Sequence, residues 1–151
     1  MPILILTIII ICVDQWSKYY IEQHMTLGMS IPIIENIFHI SYVLNPGAAF
    51  GILEHRTEFL ILIALLMIGG VIYIYPRIPD SSRLLRVGLG LLVGGSIGNV
   101  IDRVRTGYVV DFFDFRVWPV FNIADTAIVC GVAFIIFTTI FSSVKEDASN
   151  D

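Results

Sequence analysis

Apolar residues gather into four runs along the chain: Pro2–Ile21, Phe59–Tyr75, Leu84–Ile101 and Ala124–Phe141. At 1.5 Å per residue a helix over the first is roughly 30 Å long, enough to cross a hydrocarbon core. That run lacks the basic start and small-residue exit of a cleaved leader, so it reads as the first membrane helix. The second is uncharged and closed by Pro76. The third carries Gly90, Gly94 and Gly98 at intervals of four, a spacing that lets helices approach closely. Asn122 is placed to cap the fourth, with Asp125 in its first turn. The pattern predicts spans over about 2–21, 59–75, 84–102 and 124–141.

Residues 22–58 have a different texture. Pro32, Asn36 and the acids Glu22, Glu35, Glu54 and Glu58 mark them as extramembrane. Within them, Phe38-His-Ile-Ser-Tyr-Val-Leu44 places Phe38, Ile40, Tyr42 and Leu44 on one side and His39 and Ser41 on the other. That period of two predicts a half-buried strand. Asn45-Pro-Gly47 breaks it as a turn, and Ala48-Ala-Phe-Gly51 continues with small residues. The reading is a small sheet on the membrane surface. The connection 76–86 carries Arg77, Arg83 and Arg86 against one acid, Asp80. Such loops stay in the cytoplasm, which puts the sheet outside and both termini inside. The tail from Lys145 to Asp151 is weakly acidic and adds nothing to that assignment.

Composition narrows the class. Length makes the chain a single domain, 1–151. Hydrophobic residues make up 56% of it, against roughly 45–50% in soluble domains. A net charge of −4 and the lack of a basic stripe exclude nucleic acid as the partner. Cys12 and Cys130 fall in apolar runs and read as two buried free thiols. His24, His39 and His55 match no ligand spacing, so neither a metal nor another cofactor is expected.

The candidate chemistry lies in carboxylates set beside hydrocarbon. Asp14, Lys18, Asn99, Asp102, Arg103, Asp111, Asp114 and Asp125 all map to one level, the outer edge of the spans. A carrier would be expected to place acids near the midplane, and a channel would line a polar pore. These acids form a site, not a path. Asp14 and Lys18 are four apart on one helix face and read as a structural ion pair, with Trp16, Tyr19 and Tyr20 as an interfacial belt. Ser17 and Lys18 are adjacent and diverge on a helix, a poor nucleophile–base dyad. No Gly-x-Ser-x-Gly elbow exists. Paired acids remain, and spacing leaves open Asp111 with Asp114, or either with Asp125. The bland alternative is that each acid caps a helix or pairs with Arg103, Arg105 or Arg116.

Five blocks carry a resemblance. Asp14-Gln-Trp-Ser-Lys18, Asn45-Pro-Gly-Ala-Ala-Phe50, Gly98-Asn-Val-Ile-Asp-Arg103, Gly107-Tyr-Val-Val-Asp-Phe112 and Phe121-Asn-Ile-Ala-Asp-Thr126 together resemble the lipoprotein signal peptidases, or signal peptidase II. The blocks span nearly the whole chain in the family's order. The resemblance implies a mainly α, four-helix aspartic peptidase of the bacterial cytoplasmic membrane, with an extracytoplasmic β-cradle between helices 1 and 2. It implies cleavage of prolipoproteins before a diacylglyceryl-modified cysteine, contact with membrane lipid, and blockade by the cyclic lipopeptide globomycin. By position, Asp111 and Asp125 become the catalytic pair and Asp114 falls outside it. Asn45, Asn99, Arg103 and Asn122 become substrate-holding or acid-orienting residues. Asp14, Lys18 and Asp102 take supporting places. A helix N-terminus favours the ionised form, so Asp125 is expected to start as the base. The rival reading is a non-enzymatic lipid-binding or assembly subunit whose acids merely organise a polar cap.

Overall fold

The computed structural model describes residues 2–47 and 53–147. The Ala48–Phe50 part of the second block, with Gly51, lies outside the described residues. Four helices form: α1 (Pro2–His24), α2 (Thr57–Ile74), α3 (Arg83–Thr106) and α4 (Ile123–Asp147). All four are long and apolar enough to cross a membrane. A 3-10 turn, Tyr75–Arg77, follows α2 at Pro76. Three helices run on past the ends of their apolar runs. α1 continues to His24 and α4 to Asp147, and α3 goes beyond Asp102 through Arg103 and Arg105 before Gly107 stops it at φ 83° with its N–H on Arg103 O.

α3 is the central helix, packed by α1, α4 and α2. Its glycines explain why. A Cβ on Gly90 would come within 2.9 Å of Ile3 Cγ1, and one on Gly94 within 3.0 Å of Ile10 Cβ. The stripe read from the sequence therefore faces α1, where Thr7 Oγ1 also donates to Gly90 O at 3.1 Å. Gly88 and Gly95 form a second stripe against Gly131 and Ala124 of α4. By contrast, α2 buries only Val71 and leaves Leu62, Leu65, Leu66 and Ile72 exposed, as a lipid-facing helix should. Cys12 and Cys130 are free but exposed, which corrects the expectation of buried thiols. An apolar run in a membrane helix has a lipid side as well as a core side, and hydrophobicity alone does not separate them.

The sheet has three antiparallel strands in the order β1 (Ser30–Ile34), β2 (Phe38–Asn45), β3 (Val109–Asp114). β2 is the expected strand; β1, which alternation did not announce, pairs with it in a hairpin between α1 and α2, turning through Asn36 at φ 61°. Ile40, Tyr42 and Leu44 pack on a core of Ile21, Met25, Val110 and Phe112, as the period of two predicts. The third strand comes from between α3 and α4, in a stretch the apolar pattern treats only as a reversal. β3 pairs Val43 with Asp111 and Asn45 with Val109. Its far edge is closed by Phe121, whose carbonyl accepts from the N–H groups of Phe112 and Phe113 at 3.0 and 2.8 Å. β3 thus carries residues from the sheet directly over the ends of α3 and α4.

Candidate active site

Five side chains meet where β3 crosses the bundle. Asn122 caps α4 reciprocally: Asp125 N–H donates to Asn122 Oδ1 at 2.8 Å, and Asn122 N–H donates to Asp125 Oδ2 at 3.3 Å. With Oδ1 committed to the cap, Nδ2 of Asn122 turns the other way. It donates to Asp111 Oδ1 at 2.7 Å, with Val110 O and Asn99 Oδ1 at 3.2 and 3.3 Å. The second oxygen of Asp111 accepts from Asn45 Nδ2 at 2.9 Å, and Asn99 Nδ2 donates to Asp125 Oδ1 at 2.7 Å. Three asparagines therefore hold two carboxyls, one from the sheet and one from a helix N-terminus.

Asn45 is itself held, because Gly47 N–H donates to its Oδ1 at 2.9 Å. Arg103 donates from a guanidinium nitrogen to Gly47 O at 2.7 Å and lies within electrostatic reach of Asp125, Asp111 and Asp102. A cavity of about 610 Å³ opens beside this cluster. Asn45, Asn99, Arg103 and Asp125 line its polar end, and Leu60, Ile128, Val129 and Cys130 its apolar end. Trp118, Pro119, Val120 and Phe121 close a third side. Asn122 does not reach it: fully buried, it faces the two acids. Of the two places the family match leaves Asn122, it occupies the orienting one.

Behind the acids lies a second polar layer. Lys18 donates to Asp14 Oδ2 and Asp102 Oδ2, both at 2.9 Å, and to Asn99 Oδ1 at 3.0 Å. Asp14 Oδ1 accepts from Ala124 N–H at 2.9 Å, so a carboxylate from α1 helps cap α4. Asp102 Oδ2 takes the N–H of Val110 at 3.3 Å and so ties α3 to β3. Asp14 and Lys18 form the expected ion pair, but it sits inside the bundle at 0% and 2% exposure rather than on its rim. Gln15 joins them, donating to Asp102 Oδ1 at 2.8 Å and Gly98 O at 3.1 Å. The sequence reading names no role for Gln15. Its one signal is its place beside Asp14, on the face turned to α3.

Burial pushes the Asp111 carboxyl up to about 7, helped by the charge of Asp125 and opposed by the amides of Asn45 and Asn122. Asp114, at the other end of β3, goes elsewhere. It accepts from Ser41 Oγ at 2.8 Å and pairs with the Arg116 guanidinium at 2.9 Å. The spacing alternatives thus resolve geometrically: Asp111 and Asp125 share one amide network, and Asp114 is outside it.

The family model described as signal peptidase (SPase) II matches residues 6–141. This chain belongs to the signal peptidase II family. A lipoprotein signal peptidase of Moorella thermoacetica is 47% identical over 132 residues, covering 87% of this chain and 88% of its own. One from Pelotomaculum thermopropionicum is 42% identical over 146 residues, covering 97% and 96%. A bacterial membrane enzyme solved by the in meso method at 2.3 Å superposes with a TM-score of 0.85 at 33% identity, over 99% of this chain and 91% of that one. The four helices long and apolar enough to cross a membrane, and the likeness to a bacterial membrane enzyme, make this chain a multi-pass membrane protein.

Proposed function

We propose that this protein is an aspartic endopeptidase that removes signal peptides from prolipoproteins, cutting before the diacylglyceryl-modified cysteine. The observation that carries the mechanism is the amide network. It joins Asp111 and Asp125 through Asn122 and Asn99, within electrostatic reach of each other, one pushed towards its neutral form and the other at a helix N-terminus. Two carboxyls so placed share one proton and divide the roles of acid and base.

Asp125, ionised, takes a proton from a water while that water's oxygen bonds to the scissile carbonyl carbon. Asp111 gives its proton to the carbonyl oxygen, forming a tetrahedral diol. Collapse returns a diol proton to Asp111, the proton held by Asp125 passes to the leaving nitrogen, and the C–N bond breaks. The signal peptide leaves with a new carboxylic acid and the lipidated cysteine with a free amine, and both dyad carboxyls are back in their starting protonation states. Arg103, Asn45 and Asn99 supply donors where an extended substrate backbone would pass. The apolar end of the cavity, between α2 and α4, suits the diacylglyceryl chains and globomycin's lipid tail. The supporting places fall to Asp14, Lys18 and Asp102.

Orientation follows from charge. The Arg77–Arg86 connection lies at the opposite end of the bundle from the sheet, so the cytoplasm is at that end and the acids are extracytoplasmic. The whole chain then works as one membrane peptidase domain. The test is purified protein in detergent with a lipidated precursor and its unlipidated twin. Release of signal peptide from the lipidated form alone, blocked by globomycin, is the expected result. Binding without turnover would make the protein a lipid-binding or assembly subunit instead.

A further inference from the structure

Lys18 is too well enclosed to touch a substrate. It is 2% exposed, is absent from the cavity wall, and spends its three ammonium hydrogens on Asp14, Asp102 and Asn99. Its third contact bears on the reaction. An asparagine amide has nearly the same shape either way round, and only its partners decide which end is oxygen. Turned about, Asn99 would present a carbonyl oxygen to Asp125 Oδ1, where its Nδ2 now donates at 2.7 Å. An ammonium accepts nothing, so with Lys18 at 3.0 Å the near atom of Asn99 has to be oxygen. Asn122 Nδ2 reinforces the choice from 3.3 Å.

We propose that Lys18 is a positioning residue of the peptidase, locking the Asn99 amide so that its NH2 is always presented to Asp125. The inference deepens the acid–base reading of Asp111 and Asp125 and rests on it. The charged groups acting on Lys18 are Asp14 on its own helix, Asp102 from α3, Asp111 from β3 and Asp125 from α4, and Arg103 acts on the last three of these carboxyls. In this frame Asp14 and Asp102 hold the ammonium in place, and Gln15 bridges those two carboxylates at 3.2 and 2.8 Å. Four side chains from two helices thus fix the direction of one amide.

The decisive measurement is steady-state cleavage by Lys18→Met in detergent, with melting followed in parallel. A free amide misplaces Asp125, so kcat should fall on the order of 10²-fold, with a much smaller rise in KM, because only the Asn99 donor, and not Lys18 itself, lines the cavity. The pH–rate bell should move alkaline, since a cation that favoured ionised Asp111 is gone. A merely structural lysine would lower the folded yield but leave each folded molecule with the wild-type kcat and bell, and that result overturns the proposal. If Lys18→Met does not fold, Asp14→Asn with Lys18→Met removes one charge of each sign. Its kcat should stay low with a smaller pH shift, and wild-type kcat in that variant also overturns the proposal. In an Asn99→Ala background, adding Lys18→Met should cost no more than about twofold, whereas fully additive losses would mean that Lys18 does not act through Asn99. Wild-type protein that fails to cut the lipidated precursor would refute the peptidase reading. An active wild type with a dead Asp125→Asn and a normal Lys18→Met would refute this inference alone.

Discussion

Asp111 and Asp114 lie three residues apart on one strand, and the fold makes opposite things of them. Asp111 is enclosed, meets two neutral amides and no directly bonded cation, and is pushed up to about 7. Asp114 is buried too, but the Arg116 backbone N–H, the Ser41 hydroxyl and the Arg116 guanidinium outweigh that and hold its carboxyl below the usual range. The side chains are chemically identical. What separates an acid poised to exchange a proton at neutral pH from a structural anion is the company each keeps: at Asp111 burial and the Asp125 charge win over two neutral amides, and at Asp114 a guanidinium, a hydroxyl and a backbone N–H win over burial.

The sharpest way to break that contrast is to neutralise each acid in turn. Asp111→Asn and Asp125→Asn should each lower cleavage of a lipidated precursor by about 10²–10⁴-fold, the range expected of general acid–base groups. The double variant should be hardly worse than either single one, because the pair acts as a unit. Asp114→Asn should keep most of its activity. Full activity in either dyad variant would sink the assignment, and an inactive but folded Asp114→Asn would move the pair.

How much of this was readable beforehand depended on which physical signal each part carries. The spans and the Gly90–Gly94–Gly98 stripe were legible because length and spacing encode them directly. The period of two in Phe38–Leu44 likewise announced β2. β3 was not legible by alternation, since five of its six residues are buried and no polar face shows in the pattern. The run Val-Val-Asp-Phe-Phe, β-branched and aromatic, was the signal available. Spacing could not choose between Asp111 and Asp114 either, because the choice is made by Asn45, Asn99 and Asn122, brought together from β2, α3 and the turn before α4. Only the family's blocks anticipated it. Gln15 stayed silent for a related reason: its partners on α3, Gly98 and Asp102, are more than 80 residues away along the chain.

A smaller effect tests the donors rather than the acids. Asn45→Ala removes the amide on Asp111 Oδ2, and Asn122→Ala removes the one on Oδ1 together with the α4 cap. Both should lower kcat by roughly 10–10²-fold, as misplacement of a reacting group does. Only Asn122→Ala should also lower stability, by about 1 kcal/mol for the lost cap. Equal melting temperatures for the two variants would argue against the capping role.

The rate itself should carry the Asp111 titration. If the free enzyme must hold a proton on Asp111, kcat/KM declines as pH rises through about 7, where that carboxyl loses it. The two acids titrate as a pair, so the fitted values belong to the pair. Replacing Asp114 should leave both limbs where they are, within a few tenths of a pH unit. A limb that moves with Asp114→Asn would mean that the two ends of β3 are electrostatically joined after all.

The smallest effect is the most direct comparison, because linkage gives the two acids opposite signs. Asp111 is raised from 3.8 to about 7, so its contribution to stability is fully present below the unfolded value and is lost as pH rises through about 7. Asp114 is lowered, so its contribution is present above the unfolded value and is lost as pH falls through the folded one. Melting in detergent, taken as wild type minus variant, should therefore fall with pH for Asp111→Asn between about pH 4 and 8. For Asp114→Asn the same difference should be flat there and shrink only on acidification below about pH 4. Its neutral-pH size should be modest, because Arg116 is half exposed and its pair with Asp114 is screened. About 1 kcal/mol, or roughly 2–4 °C at this chain length, is the scale to look for. Slopes of the same sign for both variants would show that burial alone sets these carboxyls, and that the identity of the donors around them does not matter.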